Sequence, residues 1–263
     1  MRDPLDEFRT FNRPFARRNP ELMRYKIARM SESAFAFFRG TFHLFARDAL
    51  AGAVGPLGLL SAGGTELDLA GDIHSENFGT YKAEDGKVHY DINDFDETTT
   101  GRFDFDVCRL VTSLFLASRD RGDALGVAVG VALGASTHYA TLLPRVLNKK
   151  TPEPNVSEAA PSGCVPLDDL MRTSALVKRP AFIERITERK GKARTLVRSS
   201  RYFNLPDAER EQAVRLVADY RKRQKELTDR EESFDIEDVC GRVSGIGSMG
   251  RYRYVVQIGR AHV

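Results

Sequence analysis

Apolar positions near the start of the chain recur at helical rather than strand spacing. Residues 20–30 read as a short helix, with Asn19 as its N-cap and Pro20 at the first helical position. Ser31 is a candidate cap for the next helix. There Phe35, Phe38, Phe42 and Phe45 recur three and four residues apart, the period of one buried helix face. Arg39-Gly40 interrupts that stripe, and the glycine predicts a kink or the close approach of another element. The pattern then changes. Residues 53–64 form a Gly-rich connection, residues 66–70 a short apolar strand, and residues 88–92 a second strand entered through the turn Glu84-Asp85-Gly86.

Helical period returns at residues 104–118, with Leu110, Val111 and Leu114 on the expected buried face. Residues 122–148 form a long apolar helix weakened by glycines. No run approaches the roughly 18–20 apolar residues that span a bilayer, so this helix is expected to be internal and no membrane partner is expected. Residues 149–163 carry Pro152, Pro154 and Pro161 and read as a linker. Asn204-Leu205-Pro206-Asp207 opens a helix over residues 207–227, where Ala213, Val214, Leu216 and Val217 alternate with charges at helical period. The expected organisation is therefore a helical region carrying the chemical motifs (1–147), a linker (148–163), a basic helical region (164–234) and a glycine-rich hairpin (235–263). With 263 residues and 41% hydrophobic content, the chain can bury a full core.

The net charge of +3 conceals a polarised distribution. Twelve Asp and Glu against three Lys and Arg lie between Glu66 and Asp106, while ten Lys and Arg against two Glu lie between Arg172 and Arg201. Two solvated faces of opposite sign would explain this, as would an acidic cluster that collects a divalent metal beside a basic segment that meets phosphate. The basic segment has few aromatic residues to stack bases, which argues against nucleic acid as a partner. Three widely spaced cysteines (Cys108, Cys164, Cys240) suit a reducing cytoplasm better than a disulfide scaffold.

The acidic region contains the most informative motifs. Gly71-Asp72-Ile73-His74-Ser75-Glu76-Asn77-Phe78-Gly79 is followed by Asp91-Ile92-Asn93-Asp94-Phe95-Asp96-Glu97. Phosphoryl transfer needs a carboxylate to accept the hydroxyl proton, and an Asn and a further Asp to hold Mg²⁺ on the phosphates. Asp72, Asn77 and Asp94 stand at those intervals. Asp106 falls in the first turn of its helix, where capping alone would explain a carboxylate. Near the end, Gly245, Gly247 and Gly250 form G-x-G-x-x-G. A dinucleotide loop of this type runs into a helix, whereas Tyr252-Arg253-Tyr254-Val255-Val256 reads as a strand. The expectation is a strand–loop–strand hairpin whose backbone amides cover nucleotide phosphates, with a ligand-free turn as the alternative.

Arg39-Gly40, the 71–79 and 93–97 motifs, Asp106 with Arg109, and the Gly245-Ile246-Gly247-Ser248-Met249-Gly250 loop resemble the bacterial family called domain of unknown function 2252, over about residues 24–257. The acidic motifs are also similar to those of aminoglycoside and choline phosphotransferases, members of the protein-kinase-like superfamily. That second resemblance implies Asp72 as the base, Asn77 and Asp94 as Mg²⁺ ligands with Asp96 beside them, and Gly245, Gly247, Ser248 and Gly250 as the cover over ATP. His74 matches a histidine of that loop and is expected to orient it.

The fold so implied is α+β, predominantly helical and protein-kinase-like, with small strands carrying the catalytic loop and a C-terminal glycine-rich hairpin. Two features depart from the pattern. Ala70 stands where those enzymes carry a His, and the hairpin follows the catalytic loop instead of preceding it, which a circular permutation would reconcile. No Lys follows the hairpin, and residues 258–263 look like the translated start of a sequencing adapter, so the chain is expected to be a fragment truncated near Gln257. The expected activity is transfer of the ATP γ-phosphoryl to a hydroxyl-bearing acceptor. The alternatives are a metal-dependent phosphoesterase built on Asp72, His74, Asp94 and Asp96, and a catalytically silent nucleotide-binding module.

Overall fold

The structure is a computed structural model and describes residues 3–51, 66–148, 156–160, 162–191, 193–228 and 233–262. The expected Gly-rich connection at 53–64 and most of the expected linker lie outside those residues. Helix and strand are mixed, and the chain divides into two compact units, residues 1–176 and 177–263.

The first unit opens with four helices, α1 (Pro4–Arg18), α2 (Pro20–Met30), α3 (Ala34–Gly40) and α4 (Phe42–Leu50). Helix α2 starts where Asn19 accepts from the Leu22 amide, as the Asn-Pro pair predicts. The cap of α3 is Ser33, two residues later than expected, its hydroxyl accepting from the Ala36 amide. The phenylalanine stripe is split between α3 and α4 at Gly40-Thr41, which brings Phe38 edge-on to Phe45 and Phe45 onto Phe105. Two antiparallel strand pairs follow. Strand β1 (Glu66–Leu69) pairs with β4 (Thr99–Arg102), and β2 (Phe78–Lys82) pairs with β3 (Val88–Ile92). Strands β2 and β4 carry no apolar alternation and were not foreseen. Described residues of the 148–163 segment run along β3, where the Tyr90 amide donates to the Val156 carbonyl and the Glu158 amide to that of Val88.

Helix α5 (Phe103–Asp120) backs the first unit, followed by α6 (Leu125–Leu147) and α7 (Val165–Ala175). The buried residues of α5 are Asp104, Arg109, Ser113 and Ser118, while Leu110, Val111 and Leu114 are half-buried. Its inner face is therefore polar. Helix α6 is not internal as expected. It packs against α5, Ala128 is its one fully buried residue, and Leu125, Val127 and Leu133 are exposed. Its large apolar side chains are spread around the helix between glycines and alanines, and several of them are left exposed. Among the described residues it is also the one helix long and apolar enough to cross a membrane by length and composition, which corrects the expectation that no such run exists.

The second unit contains α8 (Arg179–Ile186), the hairpin β5 (Thr187–Lys190)–β6 (Ala193–Leu196), α9 (Asp207–Thr228) and a sheet of order β7 (Tyr202–Phe203), β8 (Ser233–Arg242), β9 (Tyr254–His262). Buried Asp238 on β8 ties this unit together. It accepts from the Leu196 amide at 2.9 Å and from both terminal nitrogens of Arg198 at 2.8 and 3.0 Å. Burial alone would raise its carboxyl, but these bonds hold it below the ordinary carboxylate range.

Candidate functional site

The loop from Ala70 to Asn77 is built by hydrogen bonds that leave little of it to chance. Asp106, in the first turn of α5, accepts from the Ala70 amide at 2.8 Å on one oxygen and from the Gly71 amide at 3.0 Å on the other. The carboxylate is thus more than a helix cap. Gly71 has φ of +82°, and a Cβ there would lie 2.2 Å from the Glu97 carbonyl oxygen. Only glycine meets both the left-handed backbone and the close approach of the second acidic motif.

Arg109 lies one helical turn further along the same face of α5. Its Nε and Nη2 donate to Asp72 Oδ1 at 3.0 and 2.6 Å, and Nη2 also donates to the Phe38 carbonyl at 3.0 Å. Among the described residues, Asp72 Oδ2 takes no hydrogen bond. One turn on again, the Ser113 hydroxyl accepts from the Ser75 amide at 3.0 Å. Asp106, Arg109 and Ser113 therefore form a polar stripe at i, i+3, i+7 that holds residues 70, 71, 72 and 75 in order.

Within the loop, Asn77 is buried and its Oδ1 accepts from the His74 amide at 2.6 Å, while His74 Nδ1 accepts from the Glu76 amide at 3.2 Å. These bonds close a single 3-10 turn over Ser75–Asn77. His74 is buried and stands edge-on to Phe35. Burial, with the charges of Arg39 and Arg109, pushes its pKa down to about 3, so the ring is neutral near pH 7 and donates only from Nε2. Asp72 moves the opposite way. Burial pushes it up to about 6 and outweighs the lowering pull of Arg109.

The second acidic motif meets the first at both ends. The register pairs Phe78 with Ile92, so Asn77 and Asn93 lie side by side and the Asn93 amide donates to the Asn77 carbonyl at 2.9 Å. At the other end Glu97 passes Gly71. Between these contacts Asp94 and Asp96 are exposed, and Asp94 Oδ1 takes only a long bond of 3.4 Å from the Asp96 amide. The structure thus brings Asp72, His74 and Asn77 into one loop and lays the segment bearing Asp94 and Asp96 alongside it. Among the described residues, no group of three or more His, Cys, Asp and Glu is assembled around a common point.

The glycine loop belongs to the second unit. It joins β8 to β9 as the predicted hairpin, and the Arg242 amide donates to the Arg253 carbonyl at its base. Gly245 and Gly250 have φ of +56° and +95°, Ile246 and Met249 turn inward, and the Ser248 hydroxyl donates to the Gly245 carbonyl at 3.4 Å.

Sequence reasoning missed Arg109 as a partner of Asp72, and missed Ser113 altogether. The available signal was the helical spacing of polar residues along α5. No curated protein and no solved structure matches the chain significantly. The family described as "Uncharacterized protein conserved in bacteria (DUF2252)" matches residues 18–262, extending past Gln257 through most of β9. With that match covering nearly the whole length and both acidic motifs, the chain belongs to the DUF2252 family of bacterial proteins.

Proposed function

We propose that this protein is a kinase-like phosphotransferase that moves the γ-phosphoryl of ATP to a hydroxyl-bearing acceptor in the bacterial cytoplasm. The observation that carries this reading is the docking of the two acidic motifs. A held carboxylate with one unbonded oxygen, Asp72, lies in a loop that meets the segment carrying two exposed carboxylates, Asp94 and Asp96, through the Asn93–Asn77 bond at one end and the Glu97–Gly71 approach at the other. In the proposed reaction the acceptor O–H gives its proton to Asp72 Oδ2. The acceptor oxygen bonds to the γ-phosphorus as the bond to the ADP oxygen breaks, and ADP leaves with that electron pair.

Asp94 and Asp96 offer hard oxygen donors in solvent, which fits Mg²⁺ held by one or two carboxylates and completed by substrate phosphates. A bound Mg²⁺ would offset the negative charge of the phosphates. Asn77 contributes by shaping the loop, because its oxygen is engaged by the His74 amide. The Gly245–Gly250 loop, in the second unit, is proposed as a phosphate-covering hairpin of the kinase type, and its late position in the chain as a circular permutation of that pattern. The phosphoesterase alternative fits less well. Of its four metal ligands, His74 is already engaged at Nδ1 by the Glu76 amide.

The test is release of labelled phosphate from γ-labelled Mg·ATP with water as acceptor, followed by transfer to simple alcohols. Release abolished in Asp72→Asn supports the reading. Binding of ATP without any release would favour a silent module, and ATP-independent cleavage of a phosphoester would favour the hydrolase.

A further inference from the structure

We infer that Arg109 is the positioning residue of this site, fixing Asp72 by one oxygen so that the other alone receives the acceptor proton. The inference rests on the phosphotransferase reading above. Both Nε and Nη2 converge on Oδ1, and no described residue bonds Oδ2. The carboxylate is therefore differentiated before any substrate arrives.

The guanidinium itself has little freedom to move. Arg109 is 0% exposed, and its Cζ lies 3.6 Å from the ring centroid of Phe38, 4.9 Å from that of Phe45 and 5.2 Å from that of Phe42. Three aromatic faces and the Phe38 carbonyl hold a cation that burial would otherwise disfavour. This assigns a purpose to the split phenylalanine stripe. The break at Gly40-Thr41 lets α3 present Phe38, and α4 present Phe42 and Phe45, to the same cation.

A lysine could not replace it. One ammonium cannot place two coplanar N–H donors on a single oxygen while a third contact fixes the plane. The charges of Arg39 on α3 and Glu97 ahead of β4 also act on Asp72, but among the described residues Arg109 alone bonds its carboxylate.

Two readouts test the inference. The first is kinetic, using Mg·ATP with water as acceptor. Arg109→Lys should lower kcat by about 100-fold with the KM for ATP within about twofold, the signature of a misplaced group. Arg109→Ala should move the acid limb of the rate profile up by about one pH unit, because a neighbouring cation is lost, and added guanidinium should partly restore rate. A folded Arg109→Lys with the kcat and pH profile of the parent overturns the inference.

The second readout needs no variant at Arg109. In the parent protein labelled with ¹⁵N-arginine, the Nε–H resonance of Arg109 should titrate in step with the acid limb and cease to titrate in Asp72→Asn. A resonance indifferent to both overturns the inference even if every Arg109 variant fails to fold. Coupled titration without any phosphoryl transfer instead overturns the functional reading beneath it.

Discussion

Residues 70–77 and residues 93–97 are adjacent acidic loops that are held very differently. The first is bound from behind by α5, with Asp106 on two backbone amides, Arg109 on Asp72 and Ser113 on the Ser75 amide. The second is fixed where Asn93 meets Asn77 and where Glu97 passes Gly71, while Asp94 and Asp96 project into solvent between those points. A base must be placed before reaction, since its geometry determines rate, and a buried hydrogen-bonded loop does this. The carboxylates proposed as metal ligands need the opposite setting. They must stay exposed to solvent until a cation and phosphates arrive to share coordination.

The comparison can be broken first at Asp72. Asp72→Asn keeps an oxygen for Arg109 but removes the proposed base, and phosphoryl transfer should fall by about 10³-fold while the circular dichroism spectrum stays unchanged. An unaffected rate would remove Asp72 from the chemistry. Next comes the anchor. Asp106→Ala leaves two amide donors without an acceptor and should cost about 2–4 kcal/mol, read as a fall in Tm on the order of 10 °C. Asp106→Asn, which keeps one acceptor oxygen, should lose about half as much. Equal, negligible losses in both would show that α5 does not hold the loop.

A smaller effect lies in the pH dependence of stability. His74 has a folded pKa of about 3 against 6.5 for the free side chain, so the unfolded chain binds its proton first. Its contribution is fully present above pH 6.5 and is lost as pH falls toward 3. Asp72, raised from 3.8 to about 6, acts in the opposite sense: its contribution is present below pH 3.8 and is lost as pH rises through 6. The two offset one another between pH 4 and 6. Removing the Asp72 carboxyl should therefore unmask His74, and the Tm of Asp72→Asn should fall more steeply than that of the parent as pH drops from 6.5 to 4. Parallel curves would contradict the assignment. The smallest effect belongs to the exposed loop, where Asp94→Ala should change stability by less than about 0.5 kcal/mol in denaturant titration.

Much of this arrangement was legible in the sequence because it depends on local signals. Asn19-Pro20 starts α2, Gly86 turns the β2–β3 hairpin, and the strand-forming residues after Gly250 distinguish a hairpin from a dinucleotide loop. The two acidic motifs were visible as candidates, and their proximity follows from a hairpin between them. Less legible were features set by long-range partners. Apolar periodicity assigned the buried face of α5 to Leu110 and Leu114, yet Arg109 and Ser113 lie deeper because they satisfy a loop about forty residues upstream in sequence. Hydropathy likewise made α6 an interior helix, although its apolar residues are largely exposed. Asn77 was legible as a candidate from its spacing, whereas the bond from the His74 amide by which it shapes the loop was not.

The most direct test of the central claim is calorimetric titration of ATP, with and without Mg²⁺, into the parent chain and into Asp94→Ala. The account predicts ATP binding that depends on Mg²⁺ in the parent and is lost in the variant, with Tm unchanged. Binding that is the same in both proteins, or absent from the parent, would contradict the assignment of the exposed loop to metal-bound nucleotide.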